Sequence, residues 1–198
     1  MDFYNQMKWH RGERHKSVKV VYENKWFKIK NRDGFFALEY EVPQVVVLPV
    51  IDNNKILFVK VKRPLINDNS LELPAGGSNV GEFLRQTAAR ELREETGIII
   101  KDLDRFCELH MLSELPGRSP ELLSCFSLDL SVEEYESRLN FDHEIAGLDL
   151  LTFNTIIEKI ISGELYLSSP IAIVLRYLLE KQYLRIGGKQ YDKFNRNA

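Results

Sequence analysis

The stretch from Arg90 to Ile98, RELREETGI, places three carboxylates, Glu91, Glu94 and Glu95, within six residues and then stops at Gly97. Clustered carboxylates repel one another, and burying them together is costly unless a positive partner joins them. Several acidic oxygens meeting at one point suit a hard divalent cation, which takes oxygen ligands and leaves room for phosphate oxygens or water.

The element that must position these groups reads as a helix running to about Thr96 and ending at Gly97, a usual C-terminal residue. Its start is predicted at Asn79, with Glu82 three residues on in capping-box spacing. At a hundred degrees per residue, Leu84, Ala88 and Leu92 form an apolar stripe roughly eighty degrees wide, and Glu91 and Glu95 lie beside or within it. No lysine or arginine of this helix falls on that face of the wheel. Two readings stand on the helix alone. An amphipathic helix with solvated decoration would place its acids opposite the leucines, whereas a metal-binding face would gather them as here.

Around this helix the chain reads as strands. Residues 18–41 form a small antiparallel meander, with VKVVYE, KWFKIK and FFALEYEV as strands and NRDG as a turn. VVVLPVI, residues 45–51, is apolar on both faces, as a central strand would be, and DNN turns it into KILFVKVKR. One face of that second strand carries Leu57, Val59, Val61 and then Arg63, a row that ends by delivering a cation to a rim. An arginine snorkelling out at a strand end is the plainer alternative. PLINDNS reads as a loop and LELPAGG as a short strand entering a glycine-rich turn. Further strands are predicted at 98–112 and 121–130. Two helices close the chain, one over 154–162 and a longer one opened by Ser169 as cap and Pro170 as first residue. The expected organisation is an N-terminal meander over 1–43, a main domain over 44–186 and a loose tail over 187–198.

The bulk numbers exclude several classes. At 198 residues, with 44% hydrophobic and 28% charged residues, the chain has the material for one soluble domain with a sizeable core. A net charge of −2 supplies no positive field to recruit nucleic acid or an anionic membrane. No apolar run reaches membrane-helix length, and the first sixteen residues lack the apolar centre of a secretion signal, so a cytoplasmic protein is expected. Cys107 and Cys125 match no metal-ligand spacing and are expected to be buried free thiols, with a disulfide as the alternative.

The wider spacing decides between the two readings of the helix. From Gly76 the chain runs five residues to Glu82, seven to Arg90-Glu91-Leu92, one to Glu94-Glu95 and one to Gly97-Ile98. This resembles the signature of the Nudix hydrolases, G-x5-E-x7-R-E-U-x-E-E-x-G-U with U aliphatic, at every fixed position. From average residue usage a chance match is on the order of one in ten million. The resemblance implies an α/β fold, the α/β/α sandwich with a mixed sheet of that family, here preceded by the small antiparallel meander. It implies binding of Mg2+, with Mn2+ as a substitute. By motif position Glu91 and Glu95 are the principal ligands, Glu82 and Glu94 assist, and the carbonyl of Ala75 is a further ligand. Arg90 holds the acids in place and joins Glu94 in the catalytic set. The implied reaction is hydrolysis of a nucleoside diphosphate linked to another group.

The flanks bear on which group. LSELPGRSPELL contains Pro116-Gly117-x-Ser119-x-Glu121 and looks like the S-P-G-x-S-x-E segment of the ADP-ribose pyrophosphatase branch. Leu115 stands where that segment has serine, and Pro116 lies eighteen residues past Ile98 rather than some fifteen. A Pro-Gly turn between strands is the plainer reading. Upstream, VKVKRP…LELPAGG resembles the branch's V-R-Q-x-R…L-E-x-P-A-G pattern. That match puts Arg63 and Glu72 among substrate-binding residues with Glu121, although Val61 and Lys62 depart from it. Arg63 would grip a phosphate bidentately. The branch carries a catalytic base on a loop before the last helices; the matching region, NFDHEIAGLDLLTF, gives Glu144 first and Asp142 second, with Glu133, Glu134 and Glu136 as rivals.

The leading expectation is Mg2+-dependent hydrolysis of a nucleoside diphosphate-sugar, ADP-ribose to AMP and ribose 5-phosphate. GDP-mannose or UDP-glucose as substrate is the near alternative, and a nucleotide-sensing module without catalysis is the alternative of another class. The intact set of box glutamates argues for activity. The branch also implies a homodimer in which the N-terminal sheet helps build the partner's base site. Trp26, Phe27, Phe35 and Phe36 are candidates for stacking there, core packing being the commoner use of aromatics on strands.

Overall fold

The computed structural model describes residues 17–184. The predicted meander forms a separate three-stranded antiparallel sheet of β1 (Val18–Glu23), β2 (Phe27–Arg32) and β3 (Phe35–Tyr40), in that order. Asp33 and Gly34 take positive φ at the β2–β3 turn, where the NRDG tetrapeptide supplies the residue types that tolerate it.

The main body is a seven-stranded mixed sheet. It contains β4 (Gln44–Ile51), β5 (Lys55–Arg63), β6 (Asp68–Glu72), β7 (Ala75–Gly77), β8 (Cys107–Leu112), β9 (Leu123–Leu130) and β10 (Ile145–Thr152). The order is β10-β5-β4-β9-β8, with β6 on β5 and β7 on β4; β4 and β9 run parallel and the other pairs antiparallel. From Val45 to Ile51 every residue of β4 is buried, which the unbroken apolar run required. Pro49, which has no N–H to donate, falls between the stretch of β4 paired to β7 and the stretch paired to β5.

Alternation along β4 and β5 builds two cores, one on each face. Val45, Val47 and Leu57 pack under α1 (Leu84–Thr96) with Ala88 and Leu92. Val46, Leu48, Val50, Ile56 and Phe58 pack under α3 (Phe153–Ser162) and α4 (Ser168–Glu180) with Ile156, Ile173, Val174 and Leu178. A helix layer on each side of the sheet is the expected α/β/α sandwich. No helix among the described residues is long and apolar enough to cross a membrane.

Several local expectations are corrected. The loop expected at 64–70 is shorter, because Asp68, Asn69 and Ser70 pair with β5 and pairing overrides their turn preference. The strand expected within 98–112 begins only at Cys107, after a turn of 3-10 helix at Leu103–Arg105. The charged run after β9 forms a short helix, α2 (Val132–Glu136), capped by the Ser131 hydroxyl. Much of the region expected as a loop before the last helices is the strand β10. The last helix begins at Ser168 behind Leu167, so Ser169 and Pro170 sit inside its first turn. Cys125 is a buried free thiol whose pKa burial pushes up to about 12, but Cys107 is exposed, because it lies on the sheet's edge strand. The loose tail expected over 187–198 lies outside the described residues.

Candidate active site

The acidic helix α1 starts later than its sequence suggests. Phe83 precedes it with no side-chain cap, and the Gln86 side chain accepts from the Phe83 N–H instead. Glu82 does accept from the Asn79 N–H at 2.8 Å, but this bond closes the turn ahead of the helix. Glu82 is thereby fixed beside the helix, where Thr87 helps hold it: the Thr87 hydroxyl lies 3.1 Å from Glu82 Oε2 and 2.9 Å from the Ser78 hydroxyl. Thr87 and Ser78 are buried tethers of this loop, and no spacing rule pointed to them.

Arg90 corrects the helical wheel. Although its Cα lies off the face of Glu91, its guanidinium wraps back across it. Nη1 donates to Glu91 Oε1 at 2.7 Å and Glu94 Oε2 at 2.9 Å, Nη2 to the Gly77 carbonyl at 2.7 Å and Glu82 Oε2 at 3.1 Å, and Nε to Glu82 Oε1 at 3.1 Å. All five guanidinium protons therefore have acceptors. The Glu82 carboxyl is held below its usual range, chiefly by this guanidinium. Burial pushes Glu91 up, with Arg90 opposing.

Glu95 is placed differently. Its Oε2 accepts from the Ala75 N–H at 3.1 Å, and among the described residues no cationic side chain bonds to it. Burial, reinforced by Glu91 and Glu72, pushes its pKa up to about 8. Gly76 lets the loop pass close by: a Cβ there would sit 2.2 Å from Glu91 Oε1.

The residues on the flanks converge on the same end of the sheet. Arg63, at the end of β5, makes a bidentate pair with Glu72 across β6, both contacts 2.7 Å, and the Ser70 hydroxyl adds a bond of 2.6 Å to Glu72. Arg63 is close enough to Glu95 for each to feel the other's charge. A cleft of about 360 Å³ is lined by Val61, Lys62, Arg63, His143, Glu144 and Ala146, so Arg63 and Glu144 share one opening. A bulge in β10 between Ile145 and Gly147 puts Ala146 at this wall. The loop bearing Glu144 is strapped to α1, since the Asp142 N–H donates to the Glu94 carbonyl at 2.8 Å and the Leu139 N–H to the Gly97 carbonyl at 2.9 Å. Gly97 is needed twice over. Its φ is +76°, and a Cβ there would meet the Leu139 carbonyl oxygen.

Other candidates lie apart. Glu134 caps α2 and pairs with Arg105 at 2.6 Å, a structural use. Glu121 accepts from the Tyr40 N–H at 3.1 Å, toward the N-terminal sheet. Trp26 lies in the bend before β2, 64% exposed, and Phe35 and Phe36 on β3 are exposed too, Phe35 at 72%, so none of the three packs into a core.

A family model, the NUDIX domain, matches residues 41–166. The chain belongs to the Nudix family. As a Nudix hydrolase it acts on phosphorus-containing anhydrides, the chemistry that the spacing from Gly76 to Ile98 implied. An ADP-ribose pyrophosphatase of Bacillus subtilis (strain 168) is 32% identical over 142 residues, covering 71% of this chain and 74% of the relative. A methanol dehydrogenase activator of Bacillus methanolicus is 30% identical over 142 residues with the same coverage.

The Nudix donor set fits a hard divalent ion. Glu95 is a partly buried carboxyl with no bonded cation among the described residues, Glu91 lies one helical turn away, and the Ala75 main chain is bonded to Glu95. Among the described residues no three acidic, histidine or cysteine side chains already surround one point at ligand distance.

Proposed function

We propose that this Nudix hydrolase cleaves a nucleoside diphosphate-sugar, ADP-ribose first, to AMP and ribose 5-phosphate with Mg2+. The observation that carries the reading is Glu95, a partly buried carboxyl beside Glu91 that no cationic side chain among the described residues bonds, at the end of the molecule where Arg63 and Glu144 share a cleft. The choice of substrate rests on the likeness to the Bacillus subtilis ADP-ribose pyrophosphatase and on the segments around Arg63, Glu72 and Glu121.

In this reading Glu91 and Glu95, with the Ala75 carbonyl, hold Mg2+, and Glu82 and Glu94 assist. The bound ion supplies charge neutralisation for the diphosphate and a lowered pKa for water. Arg90 keeps Glu82, Glu91 and Glu94 from splaying apart. Arg63 faces the diphosphate once a phosphate competes with Glu72 for its guanidinium. Glu144 accepts a proton from the water that attacks phosphorus, and the anhydride P–O bond breaks as the new P–O bond forms.

The N-terminal sheet, within residues 1–43, is read as a dimer element. Every residue of β1 is exposed in the single chain, and Val18, Val20, Val21, Tyr22, Trp26, Phe35 and Phe36 are all exposed apolar or aromatic side chains. So many exposed apolar side chains on one small sheet support an interaction site, and a second copy is the occupant proposed.

One assay tests the reading: ADP-ribose, GDP-mannose, UDP-glucose and deoxynucleoside triphosphates, each with Mg2+ and with EDTA. ADP-ribose is expected to turn over fastest, giving AMP and ribose 5-phosphate, and EDTA to abolish it. Turnover of triphosphates without any sugar compound would overturn the substrate assignment, and no turnover of any compound would favour a sensing module.

A further inference from the structure

The two strands beside the cleft end at different points. β10 pairs with β5 only as far as Ile145 on Val61, whereas β5 runs on through Lys62 and Arg63. On their other flank these two residues pair with Asn69 and Asp68 of β6, but toward β10 they have no rung. There the chain turns away through Glu144 and His143 to Asp142, whose N–H is bonded to the Glu94 carbonyl of α1. The cleft of about 360 Å³ lies along this open flank. Val61, Lys62 and Arg63 line it from β5, and His143, Glu144 and Ala146 from the opposite side.

The cations along β5 differ in what already holds them. Arg63, in the row of Leu57, gives Nε and Nη2 to Glu72, both at 2.7 Å. Lys62 belongs to the alternate row, after Ile56, Phe58 and Lys60. Lys60 is paired with Asp149 of β10 at 2.8 Å. Lys62 lies one step further, past the last rung of β10, where no such acid is supplied. Among the described residues its ammonium makes no hydrogen bond or ion pair, and Glu144, although it lines the same cleft, is not paired with it. Lys62 is thus a cation at the cleft wall with all its donors uncommitted, between two cations of the same strand that are already partnered.

We propose that Lys62 is a substrate-binding residue whose ammonium donates to a phosphate oxygen of the nucleoside diphosphate compound in this cleft. Lysine carries a compact charge and three rotatable donors on a flexible stem, so it holds phosphate as a point charge and needs no planar, bidentate geometry. Arg63 must give up Glu72 to reach a phosphate, whereas Lys62 gives up no protein partner. The inference rests on the proposed hydrolase reading and adds a second cation to it. Lys62 stands where the sequence departs from the branch's pattern, and it is the unequal ends of β5 and β10 that single it out.

The test is steady-state kinetics of Lys62→Met, Lys62→Arg and Lys60→Met with ADP-ribose and Mg2+. The assay is run at about 0.15 M ionic strength, where exposed charges more than about 8 Å apart are largely screened. Loss of a charged donor to a phosphate oxygen is expected to raise the KM of Lys62→Met about tenfold while kcat stays within about twofold. Lys62→Arg keeps the charge and should recover most of that loss. Lys60→Met removes a lysine of the same row that is already paired, and its KM should stay within about twofold of wild type. Methionine keeps most of the apolar stem of an exposed, unbonded side chain, so the melting temperature of Lys62→Met should match wild type. An unchanged KM in Lys62→Met, or a fall in kcat alone, overturns the proposal. So does an equal rise in Lys60→Met, which would make the effect one of net charge, or a Lys62→Arg as impaired as Lys62→Met. Failure of the wild type to turn over any nucleoside diphosphate compound would instead overturn the hydrolase reading. Lys62 is then judged by equilibrium binding of ADP-ribose with Mg2+, where equal affinity of wild type and Lys62→Met, or binding by neither, refutes it.

Discussion

Two sets of carboxylates share α1 and its loop, and the protein treats them oppositely. Glu82, Glu91 and Glu94 are gathered around one guanidinium that uses all its protons on them and on Gly77. Glu95, one turn beyond Glu91, receives among the described residues only the Ala75 N–H, and burial pushes its pKa up to about 8. The contrast separates two tasks that the acidic run by itself confounds. One group is a scaffold whose charge is already answered from within the chain. The other is a carboxyl that the proposed reading gives to a divalent cation.

Removing the second kind of carboxylate should do the most damage to activity and the least to the fold. Glu95→Gln is expected to lower kcat by at least about 10³-fold, because disturbing even an outer partner of a metal ligand costs about 10–100-fold. Its melting temperature in EDTA should equal or exceed wild type, since a neutral amide removes a buried acid's penalty. Near-full activity of Glu95→Gln would erase the distinction drawn between the two sets.

Arg90→Gln attacks the other set, and both readouts should move. Three carboxylates would be left facing one another, so stability should fall by about 2–3 kcal/mol. That is less than the 3–5 kcal/mol typical of breaking a buried pair, because Glu94 remains partly open to water. Activity should fall about 10–100-fold through displaced ligands. Urea melts and kinetics on one preparation check this; a stable variant of low activity would make Arg90 a direct participant rather than a scaffold.

How much of this contrast could be read in the sequence depends on the range of the interaction. The two-sided burial of β4 followed from residues 45–51, because a central strand can hide an unbroken apolar run, and the stop at Gly97 followed from its tolerance of positive φ. The spacing of Glu82, Arg90, Glu91, Glu94 and Glu95 is enough to imply the family. The wheel nevertheless missed Arg90, since it plots Cα directions while a long side chain can reach a neighbouring face. The helix start was misplaced because Asn79 and Glu82 satisfy a capping rule locally, while their bond belongs to the preceding turn. Contacts between distant segments left no local trace. The straps from Leu139 and Asp142 to α1, and the bond from Tyr40 to Glu121, join segments that only the fold makes neighbours. Asp68 to Ser70 failed for a related reason: their turn-like composition yielded to pairing with β5.

The smallest effect sharpens the contrast through pH. The folded pKa of Glu95 is raised from 4.5 to about 8, first by burial and then by Glu91 and Glu72, so between these values the folded protein holds a proton that the unfolded chain releases. Stability from this group is therefore fully present below about pH 4.5 and is lost as pH rises toward 8. Glu91, also raised, acts in the same direction, while Glu82, held low by Arg90, contributes stability above its unfolded pKa and loses it as pH falls. In EDTA the melting temperature of wild type should drop relative to Glu95→Gln between pH 5.5 and 8.5, by about 2–4 °C for each kcal/mol involved. Mg2+ should stabilise wild type more at pH 8.5 than at 5.5, because ion and proton compete for the same oxygens. If Mg2+ stabilised both forms equally at both pH values, the ion would be binding to carboxylates that Arg90 already neutralises, and the division between the two sets would fail.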